Sequence, residues 1–143
     1  MAITTAPRPG CTVIRSSDRR QYIGKNALTY FEGVSAQRVG SQGLCMHLLT
    51  IPPGARSKAH LHEAHETAVY VLSGEGYMLF GPQLEQRQGF QAGDFVYIAA
   101  GVPHLVANSS QTEPLSGILA RTDPNEQESV VLRPDLEPAA EGR

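Results

Sequence analysis

The sequence predicts an all-β protein, folded as a sandwich or small barrel of short strands. Three observations support this fold class. Apolar runs of about four to eight residues recur along the middle of the chain, and many are rich in β-branched or aromatic residues. Turn signals separate these runs at intervals of roughly 8–14 residues. The 14 glycines and 10 prolines among 143 residues suit many turns better than long helices.

The predicted strands follow one another between residues 44 and 132, and each ends at a turn signal. The first stops at Pro52-Pro53-Gly54, and the second at Ser73-Gly74-Glu75-Gly76. The predicted strands span residues 44–51, 67–72, 77–80, 95–98, 115–119 and 130–132. A helix over residues 58–72 is disfavoured, because it would include β-branched residues from Thr67 to Val71 and is bounded by proline or glycine. We expect at most one short helix in the chain.

The chain length fits a single domain, 1–143, with one substantial core. Its predicted parts are an N-terminal arm (1–39), a barrel core (about 40–122) and a C-terminal tail (123–143). Residues 1–10 and 133–143 carry prolines among small or charged neighbours, so we predict that both are loose ends. No internal repeat or linker divides the chain.

The formal net charge of −2 provides no basic field for nucleic acid. The charge is nevertheless uneven, with +6 in residues 1–58 and −8 in residues 59–143. One interpretation is that the N-terminal segment docks on the acidic remainder, either of its own barrel or of a partner subunit. The other is that solvated surface charges cluster there without consequence.

The compartment is predicted from features of the whole chain. Cys11 and Cys45 match no metal or redox spacing, and Cys45 lies in an apolar stretch that suits a core residue. The N-terminus lacks the features of a signal peptide, and no apolar run approaches the roughly 20 residues of a membrane span. These features predict a cytoplasmic protein with reduced thiols and no membrane partner.

Three of the five histidines fall between His60 and His65. Residues two apart on a strand share a face, about 6.5–7 Å apart along the chain, so His60 and His62 could reach one metal ion. The stretch His62-Glu63-Ala64-His65 does not fit a zinc-protease helix, which needs two residues between the glutamate and the second histidine. We interpret His47, inside an apolar run, as a structural residue.

Two motifs in this sequence resemble those of the cupin family. Gly54-x5-His60-x-His62-x3-Glu66 resembles the first cupin motif, and Gly74 resembles its closing glycine. The second motif is matched at the expected spacings by Gly93, Gly101, His104 and Asn108, with Ala99 at the position of the family's proline. Residues 75–92 separate the two motifs.

The resemblance implies an antiparallel double-stranded β-helix, a jelly-roll barrel, that is usually paired as a homodimer. It also implies one divalent metal ion per chain, held by His60, His62, Glu66 and His104. Counting back from Gly74, however, places Thr67 at the carboxylate position. Neighbouring residues face opposite sides of a strand, so the register decides between them. Because a hydroxyl is a poorer metal ligand than a carboxylate, we predict Glu66, with His65 as a substitute.

Such a ligand set suits iron, manganese, nickel, zinc or cobalt. A small oxygen-rich metabolite could chelate the ion, with iron supporting a dioxygenase and zinc or manganese supporting a Lewis-acid isomerase or lyase. The sequence therefore favours a metal-dependent enzyme acting on such a metabolite, although it identifies no catalytic residue. A non-catalytic barrel that binds or senses a small ligand remains an alternative, as does a structural accessory subunit.

Overall fold

The computed structural model describes residues 10–127, 129–141 and 143. Within these residues the chain forms eleven strands and two four-residue α-helices. The strands are β1 (Gln21–Ile23), β2 (Thr29–Val34), β3 (Cys45–Ile51), β4 (His60–His62), β5 (Thr67–Ser73), β6 (Glu75–Phe80), β7 (Gln86–Gln91), β8 (Phe95–Ile98), β9 (His104–Asn108), β10 (Leu115–Arg121) and β11 (Val130–Leu132). The helices are α1 (Ala36–Val39) and α2 (Glu137–Ala140), and 3-10 turns lie at Ser16–Asp18 and Pro134–Leu136.

The strands form two antiparallel sheets. The six-stranded sheet has the order β1-β2-β3-β10-β5-β8, and the five-stranded sheet has the order β11-β4-β9-β6-β7. This jelly-roll arrangement confirms the all-β prediction. Residues 58–72 hold β4 and most of β5, not a helix. The expectation of at most one short helix is wrong, because the described residues form two. Ser35 caps α1 by accepting a hydrogen bond from Arg38 N, and the C-terminal tail forms α2.

The sheets extend beyond the predicted barrel core. Strands β1 and β2 of the predicted N-terminal arm pair with each other, and β2 continues the sheet onto β3. Strand β11 of the predicted tail pairs with β4. The apolar side chains that face inward from the two sheets form one cluster. Its buried members are Leu28, Tyr30, Ile51, Val71, Leu115 and Leu119.

A second apolar cluster lies on the outer face of the five-stranded sheet. Leu79 of β6 and Leu105 of β9 are cross-strand partners there, and Leu136 and Ala140 from the C-terminal segment pack on them. The prediction that residues 133–143 are a loose end is therefore wrong. The apolar outer positions of β6 and β9 need a cover, and this segment provides it.

Polar contacts fix the C-terminal segment in place. Arg56 forms a 2.8 Å ion pair with Glu137, whose second carboxylate oxygen accepts a 2.7 Å hydrogen bond from Ala59 N. Burial would raise the pKa of Glu137, but this hydrogen bond and the charge of Arg56 lower it below its ordinary value. The carboxylate thus ties the segment to the chain just before β4.

The closing glycine of the first motif has a steric role. Gly74 adopts a φ of 88°, a region that L side chains rarely occupy. A Cβ at this position would lie 2.6 Å from the carbonyl oxygen of Pro114. Both facts require glycine where β5 turns into β6.

Residues 123–127 cross from β10 to the region of α1. Ala36 N donates a 2.7 Å hydrogen bond to Pro124 O, and Ser35 Oγ donates one of 3.2 Å to Glu126. Burial, followed by the hydrogen bond and charge of Glu32, raises the pKa of Glu126 to about 7. Burial opposes ionisation of Glu32 as well, but its contacts with Glu126, Arg20 and Arg38 hold its pKa below the ordinary value. The pKa values of the two carboxyl groups are therefore shifted in opposite directions.

No helix among the described residues is long and apolar enough to cross a membrane. Cys45 is fully buried, as the sequence predicts for a core residue, whereas Cys11 is exposed.

Replacing Leu136 by alanine is expected to destabilise the fold by about 2–5 kcal/mol, because the side chain is only 2% exposed where the C-terminal segment packs on the five-stranded sheet. Leu132→Ala is the matched control, since Leu132 is 40% exposed and should cost much less. Urea denaturation of both variants measures the difference. Equal losses would contradict the covering role of the C-terminal segment.

Glu126→Gln is expected to flatten the pH dependence of stability between about pH 4.5 and pH 7. A carboxyl group whose pKa rises from 4.5 to about 7 on folding contributes stability that is lost as pH rises through this window. The amide carries no charge, so the variant should be more stable than the parent above pH 7. Thermal melts from pH 5 to pH 8 measure this, with exposed Glu75→Gln as the control that should follow the parent.

Candidate metal centre

Strands β4 and β9 bring the two sequence motifs together. His60 and His62 project from the same face of β4, two residues apart, and both are buried. His104, at the start of β9, is the cross-strand partner of His60. Gly101 N donates a 2.7 Å hydrogen bond to His62 O, so the turn before β9 is fixed to the end of β4. Local pairing thus places the three imidazoles side by side.

The three imidazoles form a compact cluster inside the barrel. One ring nitrogen from each of His60, His62 and His104 lies within 4.8 Å of the others. The ring centroids are 4.3 Å apart for His60 and His104 and 5.0 Å apart for His60 and His62. The residues are only 1–2% exposed. Within the described parts of the chain, this is the group whose donor atoms converge as metal ligands do.

Backbone carbonyl groups orient two of the rings. His60 Nδ1 lies 2.6 Å from Lys58 O, and His104 Nδ1 lies 2.9 Å from Val102 O. A carbonyl oxygen can only accept, so each Nδ1 carries the proton and each Nε2 keeps its lone pair. Hydrogen bonds of this kind are the usual support for histidines that bind metals.

The environment keeps the histidines neutral. Burial, followed by the charge of His104, lowers the pKa of His60 to about 3. Burial also lowers the pKa of His104 to about 4, despite the opposing hydrogen bond to Val102. Burial and the positive charge of Arg121 place the pKa of His62 far below its ordinary range. Neutral imidazole is the form that binds a metal ion, so the donor atoms are available at neutral pH.

The structure leaves Glu66 outside this cluster. The residue is exposed just before β5, and its carboxylate accepts a 2.7 Å hydrogen bond from the hydroxyl of Tyr97. Strand β5 alternates with Thr67 inward and Ala68 outward, so Glu66 shares the outward side with Ala68. In this register Glu66 points away from the histidines, whereas its predicted role as a metal ligand requires it to point inward.

Thr67 occupies the inward position instead. It is buried, and its hydroxyl has no hydrogen-bond partner among the described residues. Its cross-strand partners are Arg121 on β10 and Ile98 on β8. A polar side chain enclosed without a partner is costly unless a ligand or water satisfies it.

His65 lies beside the cluster but is not part of it. Its ring centroid is 4.6 Å from that of His62, and its Nδ1 is 3.1 Å from Ser129 Oγ. Burial, followed by the charge of Arg121, lowers its pKa. The contact with Ser129 holds the ring against His62, where it can support the position of that imidazole.

Arg121 is a site residue that the sequence analysis missed. It is buried at the inner end of β10, and its guanidinium donates a 3.3 Å hydrogen bond to the hydroxyl of Tyr30. Its charge contributes to the lowered pKa values of His60, His62 and His104. Arg121 lies two residues after inward-facing Leu119, so continuing the strand would have placed its side chain inside the barrel. The predicted strand, however, ended at residue 119.

The other notable residues have structural roles. His47 is buried on β3, where its Nδ1 accepts a 3.1 Å hydrogen bond from Gly33 N, in agreement with the structural interpretation. The amide nitrogen of Asn108 donates to the carbonyl groups of Ile51, Pro52 and Glu113. The motif asparagine therefore joins the end of β3 to the end of β9.

The donor set fits a divalent transition metal. Neutral imidazoles suit zinc, iron, nickel and related ions, and the orienting hydrogen bonds leave Nε2 of His60 and His104 able to coordinate. The cluster can therefore hold a metal ion, and the ligand roles of the individual histidines remain predictions.

The family of the chain follows from comparison with known proteins. The model of the cupin domain matches residues 47–120, more than half of the chain. This segment contains both histidine strands. The chain belongs to the cupin family. Among curated proteins, no sequence matches the chain.

Solved structures with the same fold include enzymes. A putative sugar phosphate isomerase from Acidithiobacillus ferrooxidans is 24% identical, with 76% of this chain and 73% of that chain covered and a TM-score of 0.59. Oxalate decarboxylase from Bacillus subtilis, with Mn(II) centres, is 23% identical over 73% of this chain and 28% of that chain, with a TM-score of 0.63. The Lactobacillus farciminis oxalate decarboxylase–formate complex gives 20% identity, coverages of 81% and 34%, and a TM-score of 0.67.

At these identities the similarity shows the fold alone. The chain spans about a third or less of the length of the two oxalate decarboxylases.

Removing two of the histidines is expected to abolish metal binding. Purified without a histidine tag and supplied with a divalent transition metal, the parent should hold near-stoichiometric metal by elemental analysis, and His60→Ala/His62→Ala should hold almost none. Glu66→Ala is the control and should keep its metal, because the side chain faces solvent. Loss of metal in the control would place Glu66 in the ligand set after all.

Proposed function

We propose that this protein is a metal-dependent cupin enzyme that acts on a small, oxygen-rich, anionic metabolite. The convergence of three neutral imidazoles inside the barrel is the observation that carries the proposal. Burial of three polar imidazoles costs free energy that simple packing would not require. Metal binding would explain both their burial and their orientation by backbone carbonyl groups.

His60, His62 and His104 would hold the ion through ring nitrogens. A bound divalent metal would supply Lewis acidity or, with a redox-active ion such as iron, the capacity for oxygen chemistry. The donor set found among the described residues contains no carboxylate. A site with three neutral protein ligands keeps the full charge of the ion and leaves room for an anionic, chelating substrate.

Thr67 and Arg121 give the site its preference for oxygen-bearing anions. The Thr67 hydroxyl lacks a hydrogen-bond partner among the described residues and can donate to a substrate oxygen. Arg121 is the cross-strand partner of Thr67, and its charge acts on the histidines of the cluster. Positive charge inside a barrel attracts an anion more strongly than it would in water.

The substrate class agrees with two of the structurally similar proteins. Their names refer to a sugar phosphate and to oxalate, both small anions rich in oxygen. The identity of the metal would decide between the two reaction classes, with iron favouring a dioxygenase and manganese or zinc favouring an isomerase or lyase.

A binding barrel without catalysis is the second candidate, and a cleft supports it. A cavity of about 570 Å³ lies between the edge strands β7 and β8. Apolar side chains line much of it, including Met78, Phe90, Ile98 and Val102, whereas none of the three clustered histidines does. Such a cleft could hold an apolar ligand without any use of the metal.

The deciding experiment loads the untagged protein with manganese, iron, nickel, zinc or cobalt in turn. Each loaded form is titrated calorimetrically with oxalate and with a sugar phosphate, and is then assayed for their consumption. Metal-dependent binding followed by turnover supports the enzyme. Binding of apolar dyes in the metal-free protein, with no metal uptake and no anion binding, supports the second candidate.

Thr67→Val is expected to weaken binding of the anionic probe about five-fold, equivalent to about 1 kcal/mol for one hydrogen bond. Valine keeps the shape of threonine, so the metal content should not change. Calorimetry with oxalate measures the affinity, and elemental analysis of the same sample controls for the metal. Unchanged affinity would remove Thr67 from the substrate site.

A further inference from the structure

The turn between β1 and β2 carries a buried amide side chain. Gly24 N donates a 2.9 Å hydrogen bond to Leu28 O, and Ala27 N donates one of 3.0 Å to Gly24 O, so the turn is closed by its own backbone. Asn26 lies between these residues and is only 3% exposed. Its side-chain oxygen accepts a 3.1 Å hydrogen bond from Leu28 N. The turn therefore holds the amide group of Asn26 in one orientation.

One contact of Asn26 leads to Arg121. Asn26 Nδ2 donates a 2.8 Å hydrogen bond to the hydroxyl oxygen of Tyr30, and the same oxygen accepts the 3.3 Å bond from Arg121 Nη2. An amide nitrogen and a guanidinium can only donate, so the hydroxyl oxygen is the acceptor in both contacts. The guanidinium carbon also lies 5.4 Å from the centre of the Tyr30 ring. Asn26 therefore fixes the group that the guanidinium contacts.

The ring of Tyr30 is held tightly by its neighbours. Tyr22 stacks on it with ring centroids 5.2 Å apart, and Tyr30 itself is 2% exposed. A Cβ at Gly24 would lie 2.7 Å from Tyr30 Cε2 and 2.9 Å from Asn26 Oδ1. The absence of a side chain at Gly24 thus lets the turn close against the ring. The hydroxyl group of Tyr30 is consequently a rigid support for Arg121.

A second contact of Asn26 leads to His60. The carbonyl oxygen of Asn26 accepts a 3.0 Å hydrogen bond from Lys58 N. Lys58 O is the oxygen that lies 2.6 Å from His60 Nδ1 and orients that ring. A shift of the Lys58 backbone would therefore move the acceptor that fixes the tautomer and the direction of the His60 imidazole.

The imidazole and the guanidinium belong to different sheets. His60 lies on β4 of the five-stranded sheet, and Arg121 ends β10 of the six-stranded sheet. Hydrogen bonds between neighbouring strands therefore do not set the separation of the two groups. The turn contacts both sides, because Tyr30 belongs to β2 of the six-stranded sheet and Lys58 leads into β4. Asn26 thus joins the support of one group to the support of the other.

We propose that Asn26 is a positioning residue that sets the His60 imidazole and the Arg121 guanidinium relative to each other. It acts through Tyr30 toward Arg121 and through Lys58 toward His60. A metal ion on His60 and the charge of Arg121 would then be presented together to one small anion, with little reorganisation on binding. This benefit for the substrate rests on the proposed function, whereas the positioning is a property of the chain without metal or ligand.

NMR spectroscopy of the untagged, metal-free chain tests the positioning directly. The Nδ1 proton of His60 and the guanidinium protons of Arg121 should exchange slowly enough with water to be observed. Tyr30→Phe removes the acceptor of Arg121, so the Arg121 signals should disappear or shift while the His60 signal stays. Asn26→Ala should change the signals of both groups. Tyr70→Phe is the matched control, since it removes a hydroxyl from a tyrosine that is 39% exposed.

The proposal would be overturned if both signals in Asn26→Ala matched those of the parent, or if the Arg121 signals were insensitive to Tyr30→Phe. It would also be overturned if the protons of both groups exchanged rapidly in the parent, because neither group would then be held. The control should give the spectrum of the parent at His60 and Arg121.

Affinity measurements separate the two contacts of Asn26. Loaded with manganese, Tyr30→Phe should hold metal as the parent does but bind oxalate about five-fold more weakly, as expected for one hydrogen bond. Asn26→Ala should bind both the metal and oxalate more weakly. Adding Tyr30→Phe to Asn26→Ala should cause little further loss for oxalate, because both changes act on one guanidinium.

Thermal melts distinguish positioning from a role in folding alone. A lower melting temperature of Asn26→Ala, with the metal and oxalate affinities of the parent, would contradict the positioning role. If the parent itself binds no oxalate in any metal-loaded form, the proposed function fails at that point. The NMR signals of His60 and Arg121 in the metal-free chain still decide the role of Asn26.

Discussion

The pairing of β4 with β9 is the contact on which the candidate site depends. His60 and His104 are cross-strand partners, and Gly101 N holds the carbonyl group of His62. The same short region supplies the carbonyls of Lys58 and Val102, which fix the two ring tautomers. Backbone geometry therefore sets the positions and the protonation of the histidines before any metal arrives, so little reorganisation opposes binding.

Burial makes this arrangement chemically useful. Desolvation is the largest cause of the lowered pKa of His60, His62 and His104, and the nearby Arg121 adds to it. An imidazole in water would be partly protonated just below neutral pH and would compete with metal binding. Inside the barrel, the cost of charging the rings keeps their lone pairs free. Burial in the fold thus keeps the imidazoles unprotonated, as a more basic solution would.

The sequence predicted the fold and the histidine cluster well, because both depend on local patterns. Apolar runs bounded by glycine–proline turns define strands, and the spacing of His60 and His62 defines a shared face. The choice between Glu66 and Thr67 was harder, since one residue of register reverses which side chain points inward. Chemical preference for a carboxylate favoured Glu66, whereas the pairing of Thr67 with Ile98 and Arg121 turns Thr67 inward.

Long-range packing explains what the sequence did not predict. Nothing local to residues 133–143 indicates that Leu136 and Ala140 cover the outward face of two distant strands. Arg121 was likewise missed, because the predicted strand ended at residue 119 and arginine is rarely buried. Its burial depends on contacts with Tyr30, far away in the chain. Local sequence periodicity does not predict such contacts between residues that are far apart in the chain.

The C-terminal cover has a consequence for the order of events during synthesis. Strand β9 presents His104 to the barrel interior and Leu105 to the cover, so one strand serves both layers. Until residues 136–140 have left the ribosome, Leu79 and Leu105 face solvent and β9 lacks half of its packing. We therefore expect the pairing of β4 with β9, and with it the histidine cluster, to become firm only when this segment docks. Binding of a metal ion would then follow the docking of this segment on β6 and β9.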